Sequence, residues 1–129
     1  MIGYVTIGAL DSDASGKFYD AVFAALGSER KFAEGGWIGY GPRGGAKDFT
    51  NCHSAVCPPF DGAPARPGNG IMIAYRAPSP EAVERAYEAG MANGGRDEGP
   101  PGFRPPDGDK FYGAYIRDPT GNKLCLFHS

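Results

Sequence analysis

The chain has 129 residues, enough for one domain with a real hydrophobic core. Its 13 Lys and Arg stand against 15 Asp and Glu, a net charge of −2 with no run of like sign, so neither a nucleic acid nor an anionic membrane surface has an electrostatic footprint here. No apolar stretch approaches the roughly 20 residues that span a bilayer, and three cysteines spread through the chain do not make a disulfide framework. The expectation is a soluble cytoplasmic protein.

The N-terminal run Ile2 to Ile7 alternates Ile2, Tyr4 and Thr6 on one face with Val5 and Ile7 on the other, as a strand does. A helix follows, with Asp11, Ser12 or Asp13 as its cap, a stripe of Phe18, Tyr19, Val22, Phe23 and Leu26, and Gly27 as its stop. Short strands are predicted at Glu29 to Ala33, Trp37 to Tyr40 and Phe49 to Val56. A second strand–helix pair begins at Ile71 to Tyr75. Ser79-Pro80-Glu81 combines a capping hydroxyl, a proline at the first helical position and an acid in the first turn. Val83, Ala86, Tyr87 and Gly90 mark the buried face, and Asn93-Gly94-Gly95 ends the helix. Strands are predicted near Arg96 to Glu98, at Phe111 to Arg117 and at Lys123 to Phe127. Glycine (21) and proline (12) make about a quarter of the chain, clustered at 35–45, 58–70 and 94–108, and read as loops on a packed scaffold because aromatics continue through them.

Ser12 and Ser79 are 67 positions apart, and so are Gly27 and Gly94. A period near half the chain predicts two copies of one βαβββ unit, an α+β fold of pseudo-twofold construction. The expected boundaries are module one at 1–57, a crossover at 58–69 and module two at 70–129. Periodicity alone would also permit a ferredoxin-like sandwich. Three strands after each helix argue against it.

The tail carries the most specific pattern. Phe111 to Arg117 and Lys123 to Phe127 flank Asp118-Pro119-Thr120-Gly121-Asn122, in which Pro119 presets φ for a type I turn, Asp118 accepts from the backbone and Gly121 takes the closing position. With the opening Ile2-Gly3-Tyr4-Val5-Thr6-Ile7-Gly8, the central Pro58-Pro59-Phe60-Asp61-Gly62 and Gly68-Asn69-Gly70 before the fifth strand, this tail resembles the glyoxalase/bleomycin-resistance/dioxygenase domains, the vicinal-oxygen-chelate superfamily. The resemblance spans nearly the whole chain. It implies paired βαβββ modules that curl into a mixed-sheet cleft, a homodimer, and a bacterial protein of the lactoylglutathione-lyase-like class.

Metal-dependent relatives place His, Glu or Gln, His and Glu on the first, fourth, fifth and eighth strands, where they hold an ion with open coordination positions for two substrate oxygens. Carried over by the resemblance, the first, fifth and eighth places fall at Tyr4, Met72 and Cys125; the fourth lies between Asn51 and Ala55. A protonated phenol and a thioether are poor partners for a divalent first-row ion, and only Cys125 could ligate, as a thiolate. Displaced ligands would have to come from Cys52, His53, Cys57 and His128. Cys52 and His53 are adjacent and face oppositely on a strand, and no Cys-x-x-Cys or His-x-x-x-His spacing occurs. No metal and no cofactor is therefore expected. No Gly-x-Ser-x-Gly or phosphate loop occurs either.

What remains is a pocket of Tyr4, Thr6, His53, Met72, Ala74, Tyr112 or Tyr115, Cys125 and Phe127, bordered by Trp37, Phe60, Phe103 and Arg104. Aromatic rings, a flexible thioether and a few polar groups suit a small organic molecule. Metal-free binding of such a ligand, in the manner of drug-sequestering resistance proteins, is the leading expectation. The alternatives are a glutathione-linked lyase or isomerase with a shifted metal or none, and a non-catalytic dimeric scaffold. Phe60 is expected to dock the crossover onto the fold.

Overall fold

The computed structural model describes residues 1–129. Strand β1 (Val5–Gly8), helix α1 (Ser12–Ala25), strands β2 (Ser28–Glu34), β3 (Trp37–Pro42) and β4 (Ser54–Cys57) form the first half. Strand β5 (Ile73–Arg76), helix α2 (Pro80–Ala92), strands β6 (Arg96–Phe103), β7 (Tyr112–Arg117) and β8 (Lys123–His128) form the second. Each half is a four-stranded mixed sheet, ordered β1-β4-β3-β2 and β5-β8-β7-β6, in which the first and last strands of the module run parallel. The α+β architecture of two βαβββ modules is as the sequence pattern predicts, and both sheets are open. No helix is long and apolar enough to cross a membrane.

The helices begin and end where their capping chemistry dictates. Asp11, rather than Ser12, caps α1: its carboxylate accepts from the amides of Asp13 and Ala14 at 3.0 and 3.1 Å. Ser79 caps α2 through Ala82 N–H, with Pro80 at the first helical position. Gly27 (φ +85°) and Gly94 (φ +92°) turn the chain out of each helix in a conformation that only glycine adopts cheaply.

Both helices lie on the same side of the molecule and share one core. Phe18, Tyr19, Val22 and Phe23 of α1 are fully buried with Ile7, Ile38, Tyr40 and Val56 of the first sheet, and continue into Val83, Ala86, Ala114, Ile116, Leu124 and Leu126 of the second half. The Asp-Pro-Thr-Gly-Asn turn pins the halves together. Asp118, only 2% exposed, takes the Tyr19 hydroxyl of α1 at 2.7 Å on one carboxylate oxygen, and the amides of Thr120, Gly121 and Asn122 at 2.9 Å on the other. Asn122 donates to the Gly8 carbonyl and to Asp118, and Thr120 accepts from Leu10 N–H. A second link runs from Ser54 of β4 to the Tyr75 hydroxyl of β5 at 2.7 Å.

Three expectations are corrected. The run Phe49 to Val56 is not one strand: Asp48 caps a single 3₁₀ turn at Phe49–Asn51, accepting from Thr50 N–H, and β4 starts only at Ser54. Strand β6 extends through Pro100 and Pro101 to Phe103, which an edge strand with irregular pairing tolerates because no neighbour needs the missing N–H. Phe60 does not dock. It sits at the tip of a turn closed by Gly62 N–H on the Pro59 carbonyl and is fully exposed, while Ala65 is the crossover residue that is buried, next to Gly8.

Candidate functional site

Because side chains alternate across a strand, each sheet has a helix-covered face and an opposite, outer face. In the first module the outer face is filled by its own chain. Phe32 lies over Gly39, where an added Cβ would also meet the Cys52 sulfur at 2.7 Å. Phe49 of the 3₁₀ turn packs against Phe32 (ring centroids 5.9 Å apart) and edge-on against Tyr4 (4.7 Å). Tyr4 therefore stands in an aromatic cluster rather than at the rim of a free pocket.

The outer face of the second module is covered by its own side chains over much of its length and opens into a depression at one end. Cys125 lies directly between Ala74 of β5 and Tyr115 of β7, and Phe127 between Arg76 and Gly113. Phe111 stacks on Phe127 with an interplanar angle of 8° and centroids 5.1 Å apart, and the Arg76 guanidinium lies 4.7 Å from the Phe127 centroid. Two more cations flank Tyr115: the Arg104 guanidinium carbon and Lys123 Nζ are each 5.6 Å from its ring centroid. Arg104 reaches across the edge strand over Gly99 and Gly102, where a Cβ would meet its terminal nitrogens at 3.4 and 3.0 Å. It is fixed by donating to the carbonyls of Pro100 (2.7 Å) and Phe103 (3.3 Å).

At the inner end of this face the segment before β5 folds over Lys123. Asn69, Ile71, Met72, Arg117 and Lys123 line a depression of about 400 Å³. It adjoins a groove of about 120 Å³ between the sheets, bounded by Thr6 and Gly8 of β1, Ile71, Ile73, Asn122 and Lys123. Arg117 is held by Glu98 at 2.8 Å, which draws the Glu98 carboxyl below its usual range. Burial pushes the Cys125 thiol up, against the opposing pull of Tyr115, Arg104 and Lys123. Burial likewise raises the Tyr115 hydroxyl, with the nearby Cys125 adding to it and Arg104 opposing. Both groups stay protonated at neutral pH.

Of the residues singled out in the sequence, Met72, Arg104, Tyr115, Cys125 and Phe127 share this outer face, and Thr6 borders the groove. Tyr112 points the other way, because it alternates with Tyr115 onto the helix side, where its hydroxyl donates to Glu84 of α2 at 2.6 Å. His53 also lies inward. It precedes β4, and its ring packs edge-on to Phe23 at 5.2 Å with Nε2 sharing a hydrogen bond with Ser28 Oγ and Nδ1 one with Ser54 Oγ, both at 2.9 Å. Burial holds its pKa below the ordinary value. Trp37 is on β3 of the first module, and Phe103 packs edge-on to Tyr112 at 5.0 Å.

No three His, Cys, Asp or Glu side chains come together to hold a metal ion, and at the places the resemblance assigns, Tyr4 leans on Phe49, Met72 offers a thioether and Cys125 a protonated thiol. Sequence reading passed over Lys123, Ile71 and Arg117. None of them carries a motif, and only the parallel pairing of the module's first and last strands sets Lys123 beside the start of β5.

The model of the Glyoxalase/Bleomycin resistance protein/Dioxygenase superfamily matches residues 1–126. A glyoxalase/bleomycin resistance protein from Albidiferax ferrireducens T118 is 38% identical, with 98% of this chain and 97% of that chain covered and a TM-score of 0.83. Two more distant structures share the fold: a glyoxalase-related enzyme from Fulvimarina pelagi (22% identity, 98% and 86% covered, TM-score 0.69) and a lactoylglutathione lyase from Agrobacterium tumefaciens (22%, 98% and 92%, TM-score 0.62). No curated protein matches the chain. The match along nearly its full length and the 38% identical structure place the chain in the glyoxalase/bleomycin resistance protein/dioxygenase superfamily.

Proposed function

We propose that the chain binds a small organic molecule on the outer face of β5, β8, β7 and β6, without a divalent metal at the positions its superfamily uses for one. The depression of about 400 Å³ that Ile71, Met72, Arg117 and Lys123 line at one end of this face carries this reading, whereas Phe32, Phe49 and Tyr4 pack together on the first outer face. Flat aromatic surface, a thioether that adapts its shape and a few fixed polar groups are what a ligand with an apolar body needs. The assembly we propose is a homodimer, in which a second copy covers exposed sheet edges. A melting screen of small molecules, run with and without chelator, tests the reading. Stabilising compounds should act equally in both and lose their effect in Met72→Glu, which places a charge in the depression. Stabilisation that needs metal, or that survives the substitution, overturns it.

A lyase or isomerase of the glyoxalase type is the second reading, favoured by the structural likeness to the lactoylglutathione lyase from Agrobacterium tumefaciens. It needs a group that moves a proton near neutral pH. The outer face offers Tyr115 and Cys125, both raised away from that range.

A further inference from the structure

We infer that the ligand of this face is a small organic carboxylate, its apolar body lying along Ile71 and Met72 and its carboxylate held between Arg104 and Lys123. This rests on the reading that the second outer face binds a small molecule, and it names the chemistry of that molecule. The charges on the face are unequally matched. Arg117 is neutralised by Glu98, but Lys123 and Arg104 make no ion pair with any carboxylate of the chain. Lys123 donates no hydrogen bond within the protein, and Arg104 spends two of its five N–H donors on the Pro100 and Phe103 carbonyls. Two cations thus flank one aromatic ring with donors to spare, and both bear on the buried Cys125 beneath.

Such an arrangement discriminates by charge. A cationic ligand meets repulsion, and a neutral one leaves both charges to water. An anion gains charge-assisted hydrogen bonds from groups already in place, and Arg104 is fixed in advance by its two backbone carbonyls. With Glu98 spent on Arg117, the two free cations can share the two oxygens of one carboxylate. The depression and the groove share Lys123 and Ile71, so a ligand anchored at Lys123 can lay an apolar tail toward Ile73 and Thr6 without leaving the surface.

Calorimetric titration of the intact protein with cinnamate, and with its neutral amide cinnamamide, tests this. Cinnamate should bind about tenfold more tightly than the amide, the effect of one charge-assisted contact, and added salt should weaken only the carboxylate. Lys123→Met and Arg104→Met should each reduce cinnamate affinity by about tenfold and so remove its preference over cinnamamide, with an unchanged circular dichroism spectrum reporting that each variant is folded. Lys123→Arg should keep the preference. Equal binding of the two probes overturns the inference and leaves small-molecule binding intact. Binding of neither overturns both.

Discussion

Replacing Asp118 by Asn tests the interlock between the modules while leaving its shape nearly unchanged. The first carboxylate oxygen accepts three backbone amides at 2.9 Å, so the new amide must place its oxygen there. Its NH₂ then faces the Tyr19 hydroxyl and the Asn122 side-chain NH₂, which had donated at 2.7 and 2.9 Å. Tyr19 can reverse its hydroxyl and donate elsewhere or accept. Asn122 cannot, because its nitrogen also serves the Gly8 carbonyl. One hydrogen bond to a charged group is lost and one donor meets a donor at a buried site, a cost of about 3 kcal/mol. In urea, with a slope of about 2 kcal/mol per molar for a domain of this size, the midpoint should fall by about 1.5 M. Tyr19→Phe removes the other partner, and the double variant should show a coupling of about 1 kcal/mol or more. A midpoint shift under about 0.5 M, or additive effects, would refute the claim that this turn holds the halves together.

Further outcomes follow from the same structure. Burial lowers the His53 pKa from its ordinary 6.5, so the unfolded chain binds the proton more readily than the folded one; stability should hold above pH 7 and decline as pH falls through about 6.5, and His53→Gln should flatten that slope in urea titrations. Added Zn²⁺, Ni²⁺ or Mn²⁺ should leave the thermal midpoint unchanged, where a specific ion at a hundredfold excess over its Kd would contribute about 2.7 kcal/mol; a rise of several degrees would contradict the reading of the donor set. Sedimentation at micromolar concentration should give a dimer, and a monomer would count against the assembly proposed here.

Where local chemistry decides, the sequence was readable. Ser79-Pro80-Glu81 and Gly94 bound a helix by capping alone, and Asp118-Pro119-Thr120-Gly121 closes a turn whatever surrounds it. Asp118 could be read as accepting from its own backbone, but not as accepting from Tyr19, which lies 99 positions away. The same limit applied to the site. Alternation puts Tyr112 and Tyr115 on opposite faces without saying which is covered, and only the packing of α2 on β7 assigns Tyr115 outward. A strand running from Phe49 would put His53 on the sheet, whereas the Asp48 cap diverts the backbone into a 3₁₀ turn first and β4 starts only after His53. Lys123 carries no motif. Its importance comes from the register that sets β8 beside β5.

The most direct test of the account is to map the amide resonances of the protein during titration with cinnamate. Binding at the second outer face predicts shifts concentrated at Ile71, Met72, Tyr115 and Lys123, with Phe32, Phe49 and Ala55 of the first face unmoved. Shifts centred on the first module, or none at millimolar ligand, would contradict it.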